Sequence, residues 1–207
     1  KAATSIPANV IVALIIAVIL QFIGHWIRSV KHSLILNEVR PVRVFEIFKG
    51  QSIGYLFNLI LPFRLGELIR AHYIARGVSI SRSAVFATIV FERFIDIAIL
   101  LLLVAPIVVI GVSGAVTATL TISLLVIGFL LYSARTQQTW VLRSVDYISS
   151  LFNNSVKNRV SLMAWSAIYI LKNAINRKNF FPYLGLSILM WGFYLLSTAI
   201  VVWSLLP

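Results

Sequence analysis

Of the 207 residues, 60% are hydrophobic and 12% charged, and the mean hydropathy is +0.96, which excludes an ordinary soluble domain and reads as an integral membrane protein. There is no cysteine, which excludes a disulfide framework, a thiolate metal site and a cysteine nucleophile. The net charge of +12 would suggest nucleic acid in a soluble protein, but here the basic residues lie mostly between apolar runs, where anionic lipid headgroups account for them better.

The chain begins at Lys1 without the basic and small-residue pattern of a signal peptide, and both ends read as incomplete. Residues 6–27 predict a first membrane span. Pro7 suits its first turn, and His25, Trp26 and Arg28 suit its far interface. Residues 28–49 are basic and mixed, with Val42, Val44, Phe45, Ile47 and Phe48 giving an interfacial segment.

Residues 50–61 are apolar but too short to cross. Residues 62–66 break the pattern, and a second short helix resumes from Glu67. Two half-length helices around a break predict a re-entrant or broken-helix hairpin, and Gly50 and Gly54 supply a small-residue face for close packing.

Residues 84–110 predict the next span, carrying Glu92, Arg93 and Asp96. Residues 111–114 predict a turn and residues 115–134 a return span. Residues 135–179 are basic and amphipathic, as interfacial helices are, and residues 180–206 predict the last span. The fold expected is all-α and polytopic: one domain over residues 1–207, with about four full spans, the hairpin and interfacial helices.

Nine Lys and Arg lie from Arg28 to Arg82 and seven from Arg135 to Lys178. If residues 50–75 dip in and return, both blocks share one side, and the positive-inside rule makes it cytoplasmic.

Two constellations carry the chemistry. The first is Asn58-Leu-Ile-Leu-Pro-Phe-Arg-Leu-Gly-Glu-Leu-Ile-Arg70. Charges at membrane depth cost roughly 2.5–3.5 kcal/mol each on insertion scales. A broken, charged segment therefore survives only when buried in protein or lining a watery cavity. Arg64 and Arg70 are planar forks suited to phosphate, with Glu67 and the start of the resumed helix beside them. The second is Glu92, Arg93 and Asp96, with the two carboxylates on one helix face and Arg93 turned away. These carboxylates need counter-charges, and Arg64 and Arg70 are the expected donors. Each set reads either as a lining for headgroup passage or as an ion network that only locks the helices.

The sequence shows no P-loop, G-x-S-x-G, H-E-x-x-H or dinucleotide fingerprint, and no two of its three histidines have metal-ligand spacing. No enzymatic activity, cofactor or metal is expected.

The run from Gly54 through Asn58, Pro62, Arg64, Gly66, Glu67 and Arg70, followed by Glu92-Arg93-Phe-Ile-Asp96, resembles the lysylphosphatidylglycerol synthase transmembrane, or flippase-like, family. That pattern has an Asn, then Leu-Pro-x-Arg-x-Gly-Glu-x-x-Arg, then Glu-Arg-x-x-Asp in the next span. The resemblance implies a polytopic inner-membrane protein that moves lipids with polar headgroups, such as aminoacylated phospholipids or polyprenyl-phosphate-linked sugars. It implies Asn58, Arg64, Glu67, Arg70, Glu92, Arg93 and Asp96 as substrate-binding residues and membrane lipids as partners. The family's soluble aminoacyltransferase domain and its second Pro/Gly-rich motif lie outside this sequence, so a missing second half or other membrane subunits are expected partners. A non-transporting scaffold subunit is the alternative function.

Overall fold

The computed structural model describes residues 7–111 and 177–206, with residues 143, 147, 157, 158 and 161 in addition. Among the described residues the structure is all helical. It comprises α1 (Ala8–Leu36), α2 (Val44–Ile60), a 3-10 turn (Pro62–Arg64), α3 (Gly66–Val78), α4 (Arg82–Gly111) and α5 (Arg177–Leu205). The expected return span at 115–134 and most of the basic amphipathic stretch lie outside the described residues.

α1 and α5 are each long and apolar enough to cross a membrane. Each has 29 residues, about 43 Å at the helical rise, against a hydrocarbon core of about 30 Å. They pack antiparallel along their length. Asn9 meets Ser204, Gln21 meets Ser197, His25 meets Tyr194, and Glu38 meets Asn179. The outward face of α1 (Val12, Ile15, Val18, Ile19, Phe22) stays exposed and apolar, as a lipid-facing surface requires.

The first helix does not stop at the expected interface. It continues through Leu36, and Arg28, Lys31 and His32 are buried in it. The acids of α4 lie opposite, so the cations Arg28 and Lys31 are held inside the helix assembly and not among headgroups.

α2 and α3 form an antiparallel hairpin. Its base packs with the end of α1 and the start of α4 through Leu36, Ile47, Ile74, Val78, Val85 and Ile89. α2 then runs back along α1, reaching His25 through Gln51 and Tyr55. The break falls where Pro62 removes a backbone donor. Phe63 and Arg64 turn the chain with φ of 58° and 56°, left-handed values that cost a non-glycine residue roughly 1–2 kcal/mol each. Asn58 clasps the turn, its Oδ1 accepting from the Gly66 N–H at 2.8 Å. The tip is apolar and open, with Phe63 94% and Leu59 85% exposed.

The glycines make this hairpin possible. A Cβ on Gly66 would sit 2.1 Å from the Gly54 carbonyl oxygen and 2.5 Å from Asn58 Oδ1, and one on Gly50 would sit 2.6 Å from the Ile74 side chain. Gly66→Ala is therefore expected to lower stability by about 1–3 kcal/mol, the range for overpacking, because a backbone oxygen cannot move aside. Gly77→Ala, where a Cβ would meet nothing within 4 Å, is expected to be neutral or slightly stabilising. Thermal unfolding of both variants in detergent checks the pair, and equal melting temperatures would contradict it.

Candidate functional site

α1, α3 and α4 each present charges to a common interior. On α1, Arg28, Lys31 and His32 share a face by their three- and four-residue spacing. On α4, Thr88, Glu92 and Asp96 do so at four-residue intervals. Arg70 enters from α3. Arg28, Lys31, Arg70, Glu92 and Asp96 are all 5% exposed or less.

Asp96 is held from two sides, by Arg28 Nη2 at 2.8 Å and Lys31 Nζ at 2.5 Å. Glu92 takes Arg70 Nη2 at 2.9 Å and lies 3.2 Å from Arg28 Nε. Tyr55 of α2 accepts from Arg28 Nη1 at 2.8 Å. From α5, the Tyr183 ring lies 5.0 Å from Lys31 Nζ and the Tyr194 ring 5.8 Å from the Arg28 guanidinium. Cations on aromatic faces gain from the ring quadrupole, most when desolvated.

His32 is a fixed neutral spacer. Thr88 spends its hydroxyl hydrogen on the Val85 carbonyl at 2.7 Å, so His32 Nε2–H donates to Thr88 Oγ1 at 2.8 Å. The other ring nitrogen then accepts from Arg70 Nη2 at 2.7 Å, which leaves no site for a second proton.

The network has an outer edge. Glu67, on the first turn of α3, pairs with Arg93 of α4 and lies 3.6 Å from Arg70 Nη1. Its side chain is 17% exposed and that of Arg93 32%. Arg70 Nε and Nη1 are buried without hydrogen-bond partners.

Five of the residues expected at the site, Glu67, Arg70, Glu92, Arg93 and Asp96, therefore meet in one network. Asn58 stands apart as the hairpin clasp. Arg64 is exposed at the apolar tip. The counter-charges that sequence reasoning missed are Arg28 and Lys31, with His32 and Tyr55 beside them. Their signal was the shared face of Arg28, Lys31 and His32, which reads equally well as a basic end to the first span. Among the described residues no group of three or more His, Cys, Asp or Glu is arranged to hold a metal ion.

The family model described as the lysylphosphatidylglycerol synthase TM region matches residues 2–205. The chain belongs to this family. The family is a transmembrane region, in keeping with α1 and α5 as membrane-crossing helices. No curated protein and no solved structure matches the chain.

Because three buried cations face two buried carboxylates, the two signs are not equivalent. Removing one partner of a buried pair costs about 3–5 kcal/mol, since the other charge is left without compensation. Asp96→Asn is expected to lose that much by stranding Lys31 and removing one of the partners of Arg28. Adding Lys31→Met to Asp96→Asn is expected to recover part of the loss, whereas adding Thr88→Val is not. A double-mutant cycle on unfolding in detergent measures the coupling, and additive losses for Lys31 and Asp96 would contradict it.

Proposed function

We propose that this chain is a lipid flippase- or scramblase-like transporter, handling lipids with polar or phosphate-bearing headgroups such as aminoacylated phospholipids or polyprenyl-phosphate-linked sugars. The observation that carries this reading is the charged network with a partly open edge, Glu67–Arg93, beside the break of a half-length hairpin. Polar machinery inside an apolar helix assembly is costly and serves a polar passenger. The headgroup travels past Arg64, Glu67 and Arg93, while its tails stay against the apolar outer faces.

In this reading residues 50–75 dip into the bilayer from the side of the basic connections and return, and that side is the cytoplasmic face of the inner membrane. The packing supports it: the end of α1, the base of the hairpin and the starts of α4 and α5 lie at one end of the bundle. The protein does no covalent chemistry. Its partners are membrane lipids, with other membrane subunits or a second half completing the groove.

A second reading is a non-transporting scaffold. It is favoured by Arg70, Glu92 and Asp96, which are sealed, the two carboxylates being held by Arg28, Lys31 and Arg70. Arg70 substitutions therefore do not separate the two readings, because they disturb folding as well. Arg64 and Arg93 do separate them, being accessible cations at the break and at the network's edge.

In proteoliposomes, Arg64→Ala and Arg93→Ala are expected to reduce translocation of a fluorescent anionic phospholipid by about tenfold or more, the equivalent of one charged hydrogen bond at 1.5–3 kcal/mol. Arg→Lys is expected to rescue only partly, since the charge remains and the fork is lost. Folded Arg64→Ala and Arg93→Ala proteins that match the unsubstituted protein would put the scaffold reading ahead.

A further inference from the structure

Glu67 differs from the other two carboxylates of the network. Glu92 and Asp96 are sealed and each held by two cations, Glu92 by Arg28 and Arg70 and Asp96 by Arg28 and Lys31. Glu67 is partly open and holds its two partners unequally. One oxygen pairs with Arg93, while the other stays 3.6 Å from Arg70 Nη1, beyond hydrogen-bond distance. Arg70 is 1% exposed, yet its Nε and Nη1 donate to nothing. A buried guanidinium with idle donors is costly and points to a group that would use them.

A carboxylate offers two oxygens, and here they are stretched between two guanidinium groups. A phosphate diester also offers two anionic oxygens, but they stand wider apart on a tetrahedral centre with two ester oxygens beside them, a spread suited to engaging both forks at once. The charge balance agrees. Arg28, Lys31, Arg70 and Arg93 face Glu67, Glu92 and Asp96, so the network already carries one cation in excess. Displacing Glu67 toward water leaves two, and an incoming phosphate takes up the difference. Glu67 is able to leave: it sits on the first turn of α3, next to a segment held at left-handed φ, and part of its side chain already meets solvent.

We propose that Glu67 is a resident anion occupying a phosphate seat between Arg70 and Arg93, and that a phosphate ester binds by displacing it. This rests on the reading of the network's outer edge as a headgroup site. It adds the competitor, and with it a reason the site releases what it binds. A phosphate facing two unopposed arginines would be held fast, whereas a tethered carboxylate returning to the same donors expels it. Attractive enough to enter and weak enough to leave is the general condition for passage.

The sign of the test is unusual: removing a site residue strengthens binding. The probes are dihexanoyl phosphatidylglycerol, inorganic phosphate and a neutral glycolipid of equal chain length, titrated against the full chain in detergent. Glu67→Gln keeps shape and hydrogen bonding but removes the competing charge. It is expected to bind the phospholipid about tenfold more tightly than the unsubstituted protein, because charged acceptors compete for guanidinium donors far better than neutral ones. Adding Arg93→Gln is expected to erase the gain, and the glycolipid is expected to show none. A gain for inorganic phosphate alone assigns the seat to the free anion, with the displacement intact.

The melting temperature of Glu67→Gln is expected to rise on adding the phospholipid more than that of the unsubstituted protein. A purely structural Glu67 would lower stability without that rescue. Should Glu67→Gln fail to fold, Glu67→Asp carries the test, since its shorter reach weakens the competitor and tightens binding in the same direction. Affinity unchanged or weakened in the folded variant overturns the proposal. Translocation is scored separately. A protein that moves no lipid while Glu67→Gln gains affinity loses the transport reading and keeps the displaced carboxylate. Transport with unchanged Glu67→Gln affinity does the reverse.

Discussion

The structure depends on one electrostatic constraint: the cations of α1 and α3 must meet the carboxylates of α4 with almost no water present. An unpaired charge at such depth costs several kcal/mol, far more than any single packing contact contributes. The constraint fixes relative positions. Asp96 can be satisfied only with α1 rotated to aim Arg28 and Lys31 at α4, and Glu92 only with α3 close enough to deliver Arg70. Helices that are apolar around most of their surface would otherwise have little to choose their register by, since lipid tails compete evenly with side chains. The ion pairs and the His32 bridge supply that choice.

Delivering Arg70 demands an unusual backbone. α3 approaches α2 so closely that the Gly54 carbonyl stands where a Gly66 Cβ would be, and Arg70 packs over Gly54 itself. The turn before it uses two non-glycine residues in left-handed conformation. Asn58 holds this strained segment by capturing the first N–H of α3. The glycines, the clasp and the break thus form one device. It places Glu67 and Arg70 on consecutive edges of the charged interior, one partly open and one sealed.

The division between a sealed centre and an open edge frames the functional question. A centre in which Glu92 and Asp96 are held by Arg28, Lys31 and Arg70 has the character of a lock. The edge at Glu67 and Arg93 has the character of a port, since both side chains keep access to solvent. Membership of the lysylphosphatidylglycerol synthase TM region family places this device in a lipid-related membrane domain. A transporter needs both characters: a rigid polar frame that costs nothing to rebuild in each cycle, and an exchangeable rim.

The sequence by itself determined the membrane character, the helical class, the position of the hairpin break and the acids in need of partners. Each follows from local properties. Apolar length gives helices that can span, Pro62 and the following residues interrupt a helix wherever they occur, and Glu92 and Asp96 share a face by spacing alone. The motif was also legible as a set, because Glu67, Arg70, Glu92, Arg93 and Asp96 do converge. Only the tertiary structure decided who pairs with whom. Of the two expected donors Arg70 takes Glu92 while Arg64 stays exposed at the tip, and Arg28 and Lys31, which read as a basic end to a span, carry Asp96. Periodicity assigns a residue to a face of its own helix, but not the distance and rotation of the neighbouring helix. Those are set by the close glycine contact of α2 with α3 and by the antiparallel seating of α1 on α5, which involve residues up to 195 positions apart in the chain.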